Sequence, residues 1–192
     1  MNTPRKILRT VVVVGLAGGL AAIGAFSAFT SQADNPGNSI ATGTVTLADN
    51  DGGTALYSIA NAKPGDTSGP QCIRVSYTGS LDADVKLYTP STIGDLGPNV
   101  NLKIEAGTQA TPSFPSCTGF VAETTLFDAA LSTFPTTYAG GITDYPGTSA
   151  TKWVNTDAAV YRVTATLSAS APDGAQGKTT GTHTLRWEAR NQ

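Results

Sequence analysis

Residues 161–167 alternate apolar and polar side chains with a period of two. Tyr161, Val163, Ala165 and Leu167 fall on one side, and Arg162, Thr164 and Thr166 on the other. That is the period of an extended strand with one buried face, whereas a helix repeats every 3.6 residues. The pattern recurs along the chain. Ile73, Val75 and Tyr77 share a face. Leu81, Ala83, Val85 and Leu87 face inward, opposed by Asp82, Asp84 and Lys86, which leaves those carboxylates on a solvated outer face. Val100, Leu102 and Ile104 repeat the pattern, and His183, Leu185, Trp187 and Ala189 close it. Thr42, Thr44 and Thr46 alternate with Gly43, Val45 and Leu47, predicting a first strand, and residues 54–59 predict a short second one. Roughly seven or eight strands without a βαβ rhythm predict an all-β fold, an antiparallel jelly-roll-like sandwich in a single domain over residues 29–192.

Turn chemistry punctuates the strands. Asp49, Asn50, Asp51, Gly52 and Gly53 tolerate the positive φ of a tight turn. In Lys63-Pro64-Gly65-Asp66, proline presets φ and glycine supplies the left-handed position. The 172–180 loop predicts a hairpin joining the last two strands. One short helix is expected over residues 122–134, where Leu126, Ala130, Leu131 and Phe134 fall at helical spacing and Pro135 ends the run. A long connection rich in Gly, Thr and Pro follows to about residue 152. It carries Tyr138 and Tyr145, with Trp153 just beyond, so part of it is expected to pack.

The N-terminus carries Arg5, Lys6 and Arg9 ahead of the uncharged residues 11–29. That apolar run is long enough to span a bilayer as a retained anchor. Its glycines and the small residues at its end favour a cleaved signal helix over residues 1–28. Cleavage after Ala28 leaves Phe29 first; cleavage after Ala33 is the alternative. Residues 29–39 then form a mobile arm, hinged near Asn35-Pro36-Gly37-Asn38. Removing those three of the twelve basic residues leaves nine against fourteen acidic ones. No local run of basic residues with interleaved aromatics points to nucleic acid.

Little in the chain suggests catalysis. His183 is the only histidine, and it reads as a core-edge residue with both ring nitrogens satisfied. No HExxH or G-x-S-x-G motif is present. Asp49 and Asp51 are candidate calcium ligands, but the rest of a calcium loop is missing, so a hairpin turn is the simpler reading. No cofactor is expected. Cys72 and Cys117 are the only cysteines, and export predicts that they pair; two buried thiols are the alternative.

Several short motifs resemble the TasA/camelysin family of secreted biofilm-matrix proteins. They are "AFTSQADNPGNSIATGTVTL" (residues 28–47), "NAKPGD" (residues 61–66), "VSYTGSLDADVKL" (residues 75–87) and the closing "GTHTLRWEARNQ" (residues 181–192). Tyr77 stands where the family pattern has Asn, and residues 88–156 match poorly. The resemblance implies a jelly-roll-like sandwich, cleavage by a dedicated signal peptidase, and assembly into fibres by addition of an N-terminal strand to the next subunit. The assembly arm would then carry Phe29, Ile40, Val45 and Leu47, and Lys63, Pro64, Gly65 and Asp66 would form the family turn. Some members have been described as metallopeptidases, but a single histidine without a zinc-binding helix does not carry that activity over.

The expectation is a secreted, extracellular or cell-surface structural protein whose main partner is itself, head to tail, with other matrix or cell-surface proteins as further partners. It is not expected to be an enzyme or to bind nucleic acid. The alternative is a monomeric surface module that binds carbohydrate or protein through Tyr138, Tyr145 and Trp153. A secreted metallopeptidase stands behind both.

Overall fold

The computed structural model describes residues 39–146 and 151–191. Thr42–Gln192 is one compact unit. The predicted signal helix, both cleavage points (Ala28 with Phe29, and Ala33) and residues 29–38 of the arm lie outside the described residues.

The described residues form eight strands: β1 (Leu47–Asp49), β2 (Gln71–Tyr77), β3 (Asp84–Tyr88), β4 (Val100–Gln109), β5 (Phe120–Ala130), β6 (Ile142–Thr143), β7 (Ala158–Leu167) and β8 (Arg186–Arg190). Five form one sheet in the order β1-β2-β7-β4-β5, and three form a second in the order β6-β3-β8. Every pairing is antiparallel. The fold is therefore all-β, with two antiparallel sheets sharing one core. Ile73, Val75 and Tyr77 of β2, Leu102 and Ile104 of β4, and Tyr161 and Val163 of β7 meet Val85 and Leu87 of β3 there. Trp153 is fully buried among them, and its indole Nε1 donates to the Asp144 carbonyl at 2.7 Å. The period-two residues of each sequence run thus form the inner faces, except that Leu81 is exposed.

Four local expectations are corrected. First, residues 122–134 are not helical; most of them belong to β5, with a 3-10 turn over Leu131–Thr133. The register with β4 shifts between Ile104 and Glu105 and again between Ala106 and Gly107, so β5 carries an extra residue at each place. A bulge breaks the period of two, and here Leu126 and Phe127 both pack against the core. The buried Leu131 and Phe134 follow on the 3-10 turn, and together they imitate helical spacing. Second, β7 and β8 form no hairpin: β7 lies between β2 and β4, and β8 crosses to the other sheet. Third, the first strand starts only at Leu47, although Thr44 and Thr46 still accept backbone bonds from Leu81 and Thr78 at 3.2 and 3.0 Å. A Cβ on Gly43 would collide with the Leu81 side chain, so the chain is pressed close there without joining the ladder. Fourth, residues 54–59 are an irregular strap rather than a strand.

The turns match their chemistry. Gly65 has φ +91°, Asp66 N donates to the Lys63 carbonyl at 2.9 Å, and the Asp66 carboxylate accepts from Lys63 N at 2.8 Å. In the 49–53 turn Asp51 N donates to Asp49 Oδ1 and Gly53 N to Asp51 Oδ1, at 3.3 and 2.6 Å. The Asn50 side-chain oxygen accepts from Arg74 N at 2.8 Å, tying the turn to β2.

Candidate functional site

Among the described residues the two sheets do not close on each other at one side. β1 ends the larger sheet and β8 ends the smaller one, and their free edges lie alongside one another. Leu47, Val75, Leu185 and Trp187 line a groove of about 200 Å³ between them. It adjoins a cleft of about 670 Å³ bounded by the 54–59 strap and the 179–185 segment. Among the described residues no strand pairs with the outer side of β1 or β8, and an edge of that kind beside apolar side chains is the chemistry that accepts an added strand.

The walls of the cleft are held by specific contacts. The Tyr57 hydroxyl lies 2.6 Å from His183 Nε2, and His183 Nδ1 lies 3.0 Å from the Gly181 carbonyl. A carbonyl only accepts, so Nδ1 carries a proton, and in the neutral ring Tyr57 donates to Nε2. Both ring nitrogens are used, as the sequence reading of His183 expects. Burial pushes the Tyr57 hydroxyl up to about 12, so it stays protonated as a donor at any physiological pH. On β8, Trp187 packs its ring on Tyr161, while its buried Nε1 has no hydrogen-bond partner among the described residues.

The proposed arm residues divide into two groups. Ile40 is almost completely exposed. Val45 and Leu47 are half-buried and pack on the core of their own subunit, where Leu47 pairs with Tyr77. Anchorage in the chain's own domain therefore begins at about Thr44, whose backbone N donates to Ser80 Oγ at 2.9 Å.

Cys72 and Cys117 form a disulfide, with Cα atoms 5.1 Å apart. Cys72 lies on the outer face of β2, and the bridge pins the 110–119 loop over it. Cys72 N donates to the Pro115 carbonyl at 2.9 Å, and Gln109 Nε2 donates to the carbonyls of Ser116 and Thr118, each at 2.9 Å. A closed bridge fits an oxidising compartment outside the cytoplasm. Among the described residues no helix is long and apolar enough to cross a membrane. Among them, too, no group of three or more His, Cys, Asp or Glu is placed to hold a metal ion.

The aromatics of the long connection do not make one open face. Trp153 is in the core, and Tyr138 and Tyr145 are half-buried against β3. Tyr138 donates to the Asp84 carbonyl at 3.0 Å and Tyr145 to Asp84 Oδ1 at 3.2 Å. Asp84 is therefore not a solvated surface residue. Its other oxygen accepts from Lys152 at 2.6 Å, and that bond holds its carboxyl below the usual range. No spacing signal links Asp84 to Lys152; only the return of the chain after Trp153 brings them together. No family model matches the sequence, and no curated protein matches it.

Proposed function

We propose that this chain is a secreted structural protein of the extracellular or biofilm matrix, a jelly-roll-like member of the TasA/camelysin group. Its subunits join head to tail, the N-terminal arm of one adding as a strand to the next. The reading is carried by the juxtaposition of two free strand edges, β1 and β8, over a groove lined by Leu47, Val75, Leu185 and Trp187. An added strand there would extend a sheet through backbone hydrogen bonds and cover apolar side chains. The arm begins just upstream of β1, with Ile40 unburied in its own subunit. A head-to-tail contact that does not close on itself builds a filament. The signal helix, its removal by a signal peptidase and any contact with other matrix proteins belong to the same proposal.

The competing binding-module reading rested on an open aromatic face, and burial of Trp153 takes away a third of it. The peptidase reading has no support in His183, whose two nitrogens are bonded to Tyr57 and Gly181. Deleting residues 29–38 and imaging the secreted protein tests the proposal. Loss of filaments with the fold intact is expected; filaments that persist unchanged would refute strand addition.

A further inference from the structure

The outer face of the three-stranded sheet collects positive charge in a chain that is otherwise acidic. Lys86, Arg186 and Arg190 stand on it, and Lys152 joins from the long connection. Asp84 and Glu188 pair with Lys152 and Arg190 at 2.6 and 2.7 Å, and the exposed Asp82 precedes β3. Among the described residues neither Lys86 nor Arg186 has a carboxylate at salt-bridge distance. On the strands and at Lys152 four cations meet two carboxylates, in a chain with nine basic residues against fourteen acidic ones from residue 29 onward.

Aromatic rings face three of these cations, and for Lys86 and Arg186 no acid among the described residues lies at salt-bridge distance. The Arg190 guanidinium lies 3.9 Å from the Tyr138 ring centre and Lys86 Nζ lies 5.3 Å from it. Arg186 lies 5.9 Å from the centre of the Tyr88 ring, whose hydroxyl donates to Glu188. A ring fixes a cation without neutralising it, so the charges are positioned and still available. Arg186 and Arg190, at the two ends of β8, are about 14 Å apart along the strand.

We propose that this face binds a linear acidic polysaccharide whose sugars carry carboxylates. Guanidinium groups match carboxylates as two-pronged donors, and the pinned side chains lose little further freedom on binding. Nucleic acid fits less well. Single strands need uncovered rings to stack on, and here cations already lie over Tyr138 and Tyr88. Duplex affinity rises with the number of neutralised phosphates, and two of the four cations are already paired. The proposal does not depend on filament assembly, because every subunit carries the face.

The test uses the secreted full chain, polygalacturonate as the probe, and its fully methyl-esterified form as a neutral control. Wild-type protein should bind the acid form at low salt, bind it more weakly as salt rises, and ignore the ester. The double variant Lys86→Gln/Arg186→Gln should bind about tenfold more weakly or worse, with an unchanged melting temperature. Protein lacking residues 29–38 should bind as the parent does. No binding of the acid form, or equal binding of acid and ester, overturns the proposal, and that comparison needs no variant to fold. Single- or double-stranded DNA bound as tightly as polygalacturonate overturns it in favour of a nucleic-acid surface.

Discussion

Trp187 of β8 packs against Tyr161 of β7 across the gap between the sheets, with ring centres 5.2 Å apart and planes tilted by 42°. β7 is central in its sheet, while β8 is an edge of the other. This contact therefore ties the exposed margin of the groove to the middle of the fold. Replacing Trp187 with Ala should destabilise the domain by about 3 kcal/mol. Replacing it with Phe should cost much less, because it keeps an aromatic contact and removes an indole N–H that has no partner. Chemical denaturation of the two variants checks this; equal losses would show that the ring contact is not what matters.

The disulfide closes a loop of 45 residues. By chain entropy a loop of that length is worth about 4 kcal/mol. Cys72→Ser/Cys117→Ser should lose stability of that order, and the reduced parent should behave in the same way. Thermal melts with and without reductant measure it.

Three carboxylates sit below their ordinary range. Glu105 is held there chiefly by Arg162, at 2.7 Å. Asp84 is held by Lys152, and Glu188 chiefly by Tyr88 and then Arg190. Each binds protons more weakly folded than unfolded. Each therefore adds stability above the unfolded value of about 4, and loses it as pH falls through the folded value. Asp144 and Asp49 run the other way, because burial raises them: their contribution is present in acid and lost as pH rises. The three lowered groups add acid sensitivity below about pH 4, and Asp144 and Asp49 offset part of it. Glu105→Gln should be less stable than the parent at pH 7 and lose less on acidification. A parallel pH profile for the two proteins would exclude the Glu105–Arg162 pair as a source of the acid sensitivity.

Gly107 lies at the second bulge, where a Cβ would overlap the Val121 carbonyl and come within 3.0 Å of the Ala122 Cα. Both obstacles are backbone of β5 and cannot swing aside. Gly107→Ala should cost about 2 kcal/mol through forced separation of β4 and β5. Faster hydrogen exchange confined to β4 and β5 would locate the damage.

Strands with an unbroken period of two were legible before any coordinates. Tyr161, Val163, Ala165 and Leu167 all face the core, and so do Ile73, Val75 and Tyr77. Turn chemistry at Lys63–Asp66 and the pairing of Cys72 with Cys117 were also readable, because each follows from local preference or from compartment. β5 was not, because two bulges shift its inward residues and leave helical spacing as the visible pattern. Nor was the passage of β8 to the other sheet, since a loop of turn-forming residues does not say which edge the next strand will join. The charged face escaped for a similar reason. Lys86, Lys152 and the two arginines of β8 are far apart in the chain, and the pairing of β3 with β8 and the return of the chain at Lys152 assemble them.

Strand addition at the groove is the central claim, and hydrogen exchange along β8 tests it most directly. In monomers, those amides of Arg186–Arg190 that point away from β3 should exchange quickly, since β8 is a free edge. In assembled protein the same alternate amides should slow by at least about tenfold as the arm of the next subunit bonds to them. Assembled protein in which those amides, and those on the free side of β1, exchange as fast as in the monomer would contradict the account.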